Sequence, residues 1–125
     1  MILGLGIDII EVDRVAASYQ KFGERFLNRI LRPDEIAYCR THKNPAPFLA
    51  ARFAAKEAVS KSFGTGIGAP LGWQDIEIRR KESGEPFVVL HGKGKELLAA
   101  RGAKNLLVSI SHTENYAAVV AVLER

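Results

Sequence analysis

Glu57 and Lys61 stand four residues apart in Arg52-Phe53-Ala54-Ala55-Lys56-Glu57-Ala58-Val59-Ser60-Lys61, a stretch free of glycine and proline. Successive residues of an α-helix turn by about 100°. Ala50, Phe53, Ala54 and Ala58 therefore share a face with this carboxylate and ammonium, while Arg52 and Lys56 fall on the far side, where solvated charges usually lie. Charges set into an apolar stripe are partly desolvated and need partners. Two readings follow: an ordinary Glu-to-Lys helix pair worth a few tenths of a kcal/mol, or two charges held inward for chemistry.

Asp8 bears on that choice. The chain begins with a strand pattern in which Leu3, Leu5, Ile7 and Ile9 form one apolar face, and Ile2, Gly4, Gly6, Asp8 and Ile10 form the other. Met1 to Ile10 reads as a buried strand. Glycines within a strand mark a close approach by a backbone or a ligand, so Asp8 ends a face cleared of side chains. Two carboxylates from distant segments can hold Mg²⁺, which keeps several waters and takes further oxygens from substrate phosphates. A lysine beside them neutralises phosphate charge out of the metal's reach. Asp8, Glu57 and Lys61 together point to phosphoryl or phosphodiester chemistry, in which positioning and charge stabilisation do most of the work. Ser109-Ile110-Ser111-His112-Thr113 ends a strand beside a turn, where His112 either meets an anion or caps the hairpin.

The elements that must position these groups read as follows. Asp13 is a candidate N-cap for a helix from Arg14 to about Phe22, stopped by Gly23. A second short helix covers Glu24 to Ile30, and Arg32-Pro33-Asp34-Glu35 opens a third. Asn44-Pro45-Ala46-Pro47 interrupts the chain before a long helix from Phe48 to Phe63. Gly64-Thr65-Gly66-Ile67-Gly68-Ala69-Pro70-Leu71-Gly72 follows the end of that helix, so it lacks the N-terminal dipole of a P-loop. Ile76–Arg79 and Phe87–Leu90 form a hairpin, Lys95–Arg101 a short helix, and Leu106–His112 with Ala117–Leu123 a second hairpin. This order predicts one α+β domain over residues 1–125, with an antiparallel sheet packed on the long central helix.

At 125 residues the chain can bury a core without staples. It has no apolar run long enough to span a bilayer and no charged segment before its apolar start. The single cysteine, Cys39, fits a reducing cytoplasm and a packed helix position. His42 and His91 read as exposed loop residues. The formal charge of +4 comes from scattered basic residues, which suits several separate anionic contacts on a folded surface.

Gly6-Ile7-Asp8-Ile9, Arg52-Phe53-Ala54-Ala55-Lys56-Glu57-Ala58 running to Lys61, Phe63-Gly64-Thr65-Gly66-Ile67-Gly68, and Ser109-Ile110-Ser111-His112-Thr113 occur in that order. The set closely resembles the holo-acyl-carrier-protein synthase family, the short trimeric type of bacterial 4′-phosphopantetheinyl transferase, over essentially the whole chain. The resemblance implies the phosphopantetheinyl transferase fold. It implies transfer of the phosphopantetheine arm of coenzyme A to a serine hydroxyl of apo acyl carrier protein, releasing 3′,5′-ADP in support of fatty acid biosynthesis. Asp8 and Glu57 match the family's Mg²⁺ ligands, and one of them is expected to help remove the serine proton. Lys61 matches the lysine on the coenzyme A phosphates, and Arg52 and His112 match residues on the 3′-phosphate, with Thr113 adjoining. Gly64 and Gly66 match a backbone wall along coenzyme A. Arg14 matches the basic surface that docks the acidic carrier, with Arg25 and Arg29 as looser candidates. The family implies a homotrimer with sites shared between subunits, in the cytoplasm, with no nucleic-acid or membrane partner.

Two other functions fit less well. A metal-dependent nuclease usually places its glutamate and lysine two apart on a strand, and here they are four apart on a helix. A nucleic-acid-binding module needs clustered basic residues with exposed aromatics for stacking, whereas the charge here is scattered around one tryptophan.

Overall fold

The long helix and the first strand organise everything else. In the computed structural model, which describes residues 1–125, the chain runs β1 (Ile2–Glu11), α1 (Val12–Phe22), α2 (Glu24–Ile30), α3 (Pro33–Arg40) and α4 (Ala46–Ser62). A 3-10 turn at Trp73–Asp75 leads into β2 (Ile76–Arg80), β3 (Pro86–Leu90), α5 (Lys93–Ala100), β4 (Asn105–His112) and β5 (Tyr116–Glu124). The fold is α+β, as expected. One antiparallel sheet has the order β1-β5-β4, and β2 and β3 make a separate antiparallel hairpin. In the larger sheet Asp8 lies opposite Val119, and His112 opposite Ala117.

The element boundaries differ from expectation where backbone groups find other partners. Helix α1 begins at Val12 rather than Arg14, and the Val12 N–H donates to the Asn115 carbonyl at 2.8 Å, so no Asp13 cap is needed. Helix α4 begins at Ala46 because prolines are tolerated in a first turn, whose N–H groups have no intrahelical acceptor.

Helix α4 crosses between the larger sheet and the α1–α3 layer, with β2 behind it. Its burial is therefore nearly all-round, which corrects the picture of a solvated face bearing Arg52 and Lys56. Arg52 is 2% exposed and Lys56 fully buried. Of this helix only Lys61 is exposed, and the charges opposite Glu57 meet the interior. The Lys56 ammonium donates to Glu35 Oε1 at 2.7 Å, to the Ile30 carbonyl at 2.6 Å and to the Trp73 carbonyl at 3.1 Å. Glu35 in turn accepts the Arg32 N–H on Oε1 at 2.9 Å and the Ile78 N–H on Oε2 at 3.0 Å. This single pair links α2, α3, α4, the 3-10 turn and β2. Arg52 stacks over the Tyr38 ring, 4.2 Å from its centroid. Burial lowers the Arg52 pKa, and its Nε and Nη1 have no acceptor in the chain.

The second correction concerns β1. Leu5, Ile7 and Ile9, expected to be buried, are 63%, 68% and 67% exposed, because the glycine face is the one that turns inward. Their neighbours on the same sheet face, Val120 of β5 and Leu107 of β4, are also exposed.

Removing one partner of a buried, fully bonded ion pair leaves an uncompensated charge and costs about 3–5 kcal/mol. Lys56→Met is expected to lower the melting temperature by roughly 10–20 °C; differential scanning calorimetry showing a shift of a few degrees would deny the pair its structural role.

Candidate active site

Glycine places the first acid. A Cβ on Gly6 would stand 1.8 Å from the Ala58 carbonyl oxygen, and one on Gly4 would stand 1.9 Å from that of Ser62. Only a strand without side chains at these positions can lie directly on the α4 backbone. The expected close approach by a backbone is thus met by the central helix itself. Asp8, two residues further along the same face, is brought over the turn that carries Glu57 and Lys61.

There the three groups converge. Lys61 Nζ donates to Asp8 Oδ1 at 3.1 Å and to the Ile7 carbonyl at 3.0 Å. Lys61 therefore pairs with a residue 53 positions away and not with Glu57, one turn behind it. The Glu57 carboxylate, half-buried, has no ion-pair partner. Its pKa lies above the ordinary carboxylate range, mainly because burial removes water and then because the Asp8 charge is near, with Lys61 pulling the other way. Two adjacent hard-oxygen donors short of positive charge fit a divalent cation of the Mg²⁺ kind. No group of three or more His, Cys, Asp and Glu residues forms a metal cage in the chain. A cation here would take its remaining oxygens from water and substrate.

The glycine loop lies beside Lys61. Gly64 and Gly66 adopt left-handed φ angles of 77° and 66°. The Gly64 N–H donates to Lys61 O, and the Thr65 and Gly66 N–H groups both donate to Ser60 O. These N–H groups close the end of α4, so they are already bonded within the chain.

The other expected coenzyme A residues gather toward the opposite end of α4. His112 packs edge-on against Phe48 at 5.0 Å, and Tyr38, beneath Arg52, packs edge-on against Phe48 at 6.2 Å. His42 stacks on Phe48 at 3.5 Å and is half-buried, against the expectation of an exposed loop histidine. His91 is likewise half-buried, 2.7 Å from Glu77 Oε1. The Thr113 hydroxyl accepts the Asn115 and Tyr116 N–H groups and holds the hairpin turn. At 1.5 Å per residue, Phe48 and Lys61 are roughly 20 Å apart along the helix. The expected site residues of one chain therefore fall into two groups, one around Asp8 and Lys61 and one around Phe48. Sequence reasoning missed the aromatic cluster of Tyr38, His42 and Phe48, because its members come from α3, the following turn and α4, with no common spacing.

Arg14 is exposed on α1, while Arg25 and Arg29 of α2 line a groove of about 430 Å³ with Ser18, Phe22 and Phe26. Arg14, Ser18 and Phe26 also line a smaller adjoining pocket that reaches Phe53. Arg25 and Arg29 thus frame one groove, and Arg14 lines the pocket beside it. Cys39 is fully buried, and burial raises its thiol pKa to about 11, in keeping with a packing role.

A family model described as the 4′-phosphopantetheinyl transferase superfamily matches residues 4–121. The holo-[acyl-carrier-protein] synthase of Koribacter versatilis is 48% identical over 124 residues, covering 99% of each chain. The crystal structure of the synthase from Neisseria meningitidis superposes with a TM-score of 0.93 at 34% identity, covering all of both chains. The Bacillus anthracis synthase, solved in complex with CoA (3′,5′-ADP), superposes with a TM-score of 0.81 at 37% identity, covering 99% of this chain and 97% of that one.

Since a methyl group on Gly6 must displace α4, Gly6→Ala is expected to destabilise the protein by about 2 kcal/mol or more and to loosen the Asp8–Lys61 contact. Urea unfolding of the variant checks this, and an unchanged midpoint would show that the strand–helix spacing is slack.

Proposed function

The chain belongs to the 4′-phosphopantetheinyl transferase superfamily, among the holo-acyl-carrier-protein synthases, and on that premise we propose that Asp8, Glu57 and Lys61 form its transfer site. The observation that carries this reading is the convergence of all three where β1 crosses α4. Asp8 and Glu57 would hold Mg²⁺, which when bound supplies charge to the pyrophosphate of coenzyme A. The serine oxygen of the apo carrier forms a bond to the phosphorus that bears the pantetheine arm. The bond from that phosphorus to the bridging oxygen breaks, and 3′,5′-ADP leaves. The serine proton passes to one of the two carboxylates. Lys61 donates to the phosphate oxygens and stabilises the charge that develops on the leaving group.

The two half-sites at opposite ends of α4 support a site shared between subunits. Arg52, His112 and Thr113 of one chain would meet the 3′-phosphate of a coenzyme A whose pyrophosphate lies on the Asp8 end of another. The open face of β1, β5 and β4 supports the same reading: Leu5, Ile7, Ile9, Leu107 and Val120 form a contiguous exposed apolar surface of the kind that marks an interface. We propose a homotrimer closed on this face. The acidic carrier would dock on the α1–α2 groove through Arg14, Arg25 and Arg29, with Phe22 and Phe26 as its apolar floor. No helix is long and apolar enough to cross a membrane. A cytoplasmic place in fatty acid biosynthesis accords with the single free, buried cysteine.

Incubated with apo acyl carrier protein, coenzyme A and Mg²⁺, the enzyme is expected to add one phosphopantetheine mass to the carrier, read by mass spectrometry. Asp8→Ala and Glu57→Ala should each lower the rate roughly a thousandfold, in line with loss of several kcal/mol of metal-borne stabilisation. An unmodified carrier of proven competence would refute the assignment, and retained activity in either variant would remove that residue from the site. In sedimentation velocity the wild type should run at three times its 13.7 kDa chain mass. Ile7→Asp should shift it toward monomer. A wild type that sediments as a monomer rules out the trimer.

A further inference from the structure

Lys61 has two partners within the chain itself. Its ammonium already holds Asp8 Oδ1 at 3.1 Å and the carbonyl of the residue before Asp8 at 3.0 Å. The side chain is half exposed and Asp8 largely covered, so Lys61 reaches in from solvent to the inner acid. Glu57, the second acid, has no such partner. Asp8, one of the two carboxylates assigned to the metal, thus already has a cation of the protein's own.

We propose that Lys61 is the resident cation of the carboxylate pair and gives up Asp8 only when a divalent ion arrives together with a pyrophosphate that can receive the ammonium. The inference rests on the assignment of Asp8 and Glu57 as metal ligands. A dication binding alone must break the Asp8–Lys61 contact and remain near a displaced ammonium with no anion to go to. Unlike charges exchanged for like charges at a few ångströms weigh strongly against binding where water is partly excluded. With coenzyme A present, the ammonium exchanges one anionic partner for another and the repulsion is screened by the pyrophosphate. Metal and coenzyme A then promote each other's binding by the same factor, as linkage requires. Lys61 thereby guards against a metal-loaded site without substrate.

The test uses Mn²⁺ as the probe, with free Mn²⁺ counted by electron paramagnetic resonance and no carrier present, so that no turnover occurs. Titrations are run with and without coenzyme A and corrected for Mn²⁺ held by coenzyme A alone. Wild type is expected to bind Mn²⁺ weakly by itself and at least about tenfold more tightly with coenzyme A. Lys61→Met is expected to bind Mn²⁺ alone about tenfold more tightly than wild type, with most of the coenzyme A effect lost. Lys61→Arg, which keeps the charge, should behave like wild type. Lys61→Gln provides a second neutral side chain should the methionine variant misfold. Neutral variants that bind Mn²⁺ alone no more tightly than wild type would overturn the proposal. Absence of Mn²⁺ binding in every protein even with coenzyme A is a different result: it would remove the carboxylates from the metal site, and this inference with them.

Discussion

The contact on which the structure depends is between two backbones. Strand β1 lies so close to α4 that Gly6 has no space for a methyl group beneath the Ala58 carbonyl, and Gly4 none beneath that of Ser62. Side chains elsewhere hold layers apart at distances set by their own bulk; here the spacing is set by main-chain atoms. This brings Asp8 within hydrogen-bond reach of Lys61 and within electrostatic reach of Glu57. It also decides the fate of the other strand face. With glycine inward, Leu5, Ile7 and Ile9 must point outward, and a strand that meets its own core through glycine leaves its bulk on the surface.

The far side of α4 solves the complementary problem. A helix placed between a sheet and a layer of helices has little solvated face on which to put charge, yet this one carries Arg52 and Lys56 opposite Glu57. Lys56 is neutralised by Glu35 and saturated by two carbonyls, so its charge becomes a fastening for five elements. Arg52 is treated differently: Tyr38 covers its guanidinium, and two of its nitrogens lack acceptors. One buried cation is fully bonded, and the other keeps two buried nitrogens without an acceptor.

The same division appears at the acids. Asp8 is held by Lys61 and Glu57 has no ion-pair partner, so two carboxylates at one crossing differ in availability. That asymmetry comes from geometry, since the strand carbonyl of Ile7 and Asp8 Oδ1 together make a better seat for the ammonium than the helical neighbour one turn back. An i, i+4 spacing made the Glu57–Lys61 pair the obvious salt bridge, and the tertiary neighbour won it away.

Much of the architecture was legible in the chain. Helix α2 and both hairpins announce themselves through period, glycine stops and turn residues, and the glycine-lined strand face signalled a close approach. Asp8 and Glu57 could be singled out because their residue types and order match a known family, and the alanine-rich helix carrying Glu57 and Lys61 was plain from its composition. The burial of Arg52 and Lys56, the outward face of β1, and the aromatic group around Phe48 could not be read in this way. Local periodicity records which residues share a face; it does not record what that face meets. Which side of α4 found a carboxylate, and which side of β1 found a helix, was decided only when segments tens of residues apart were packed together, because partners for buried charge and room for missing side chains exist only in the folded chain.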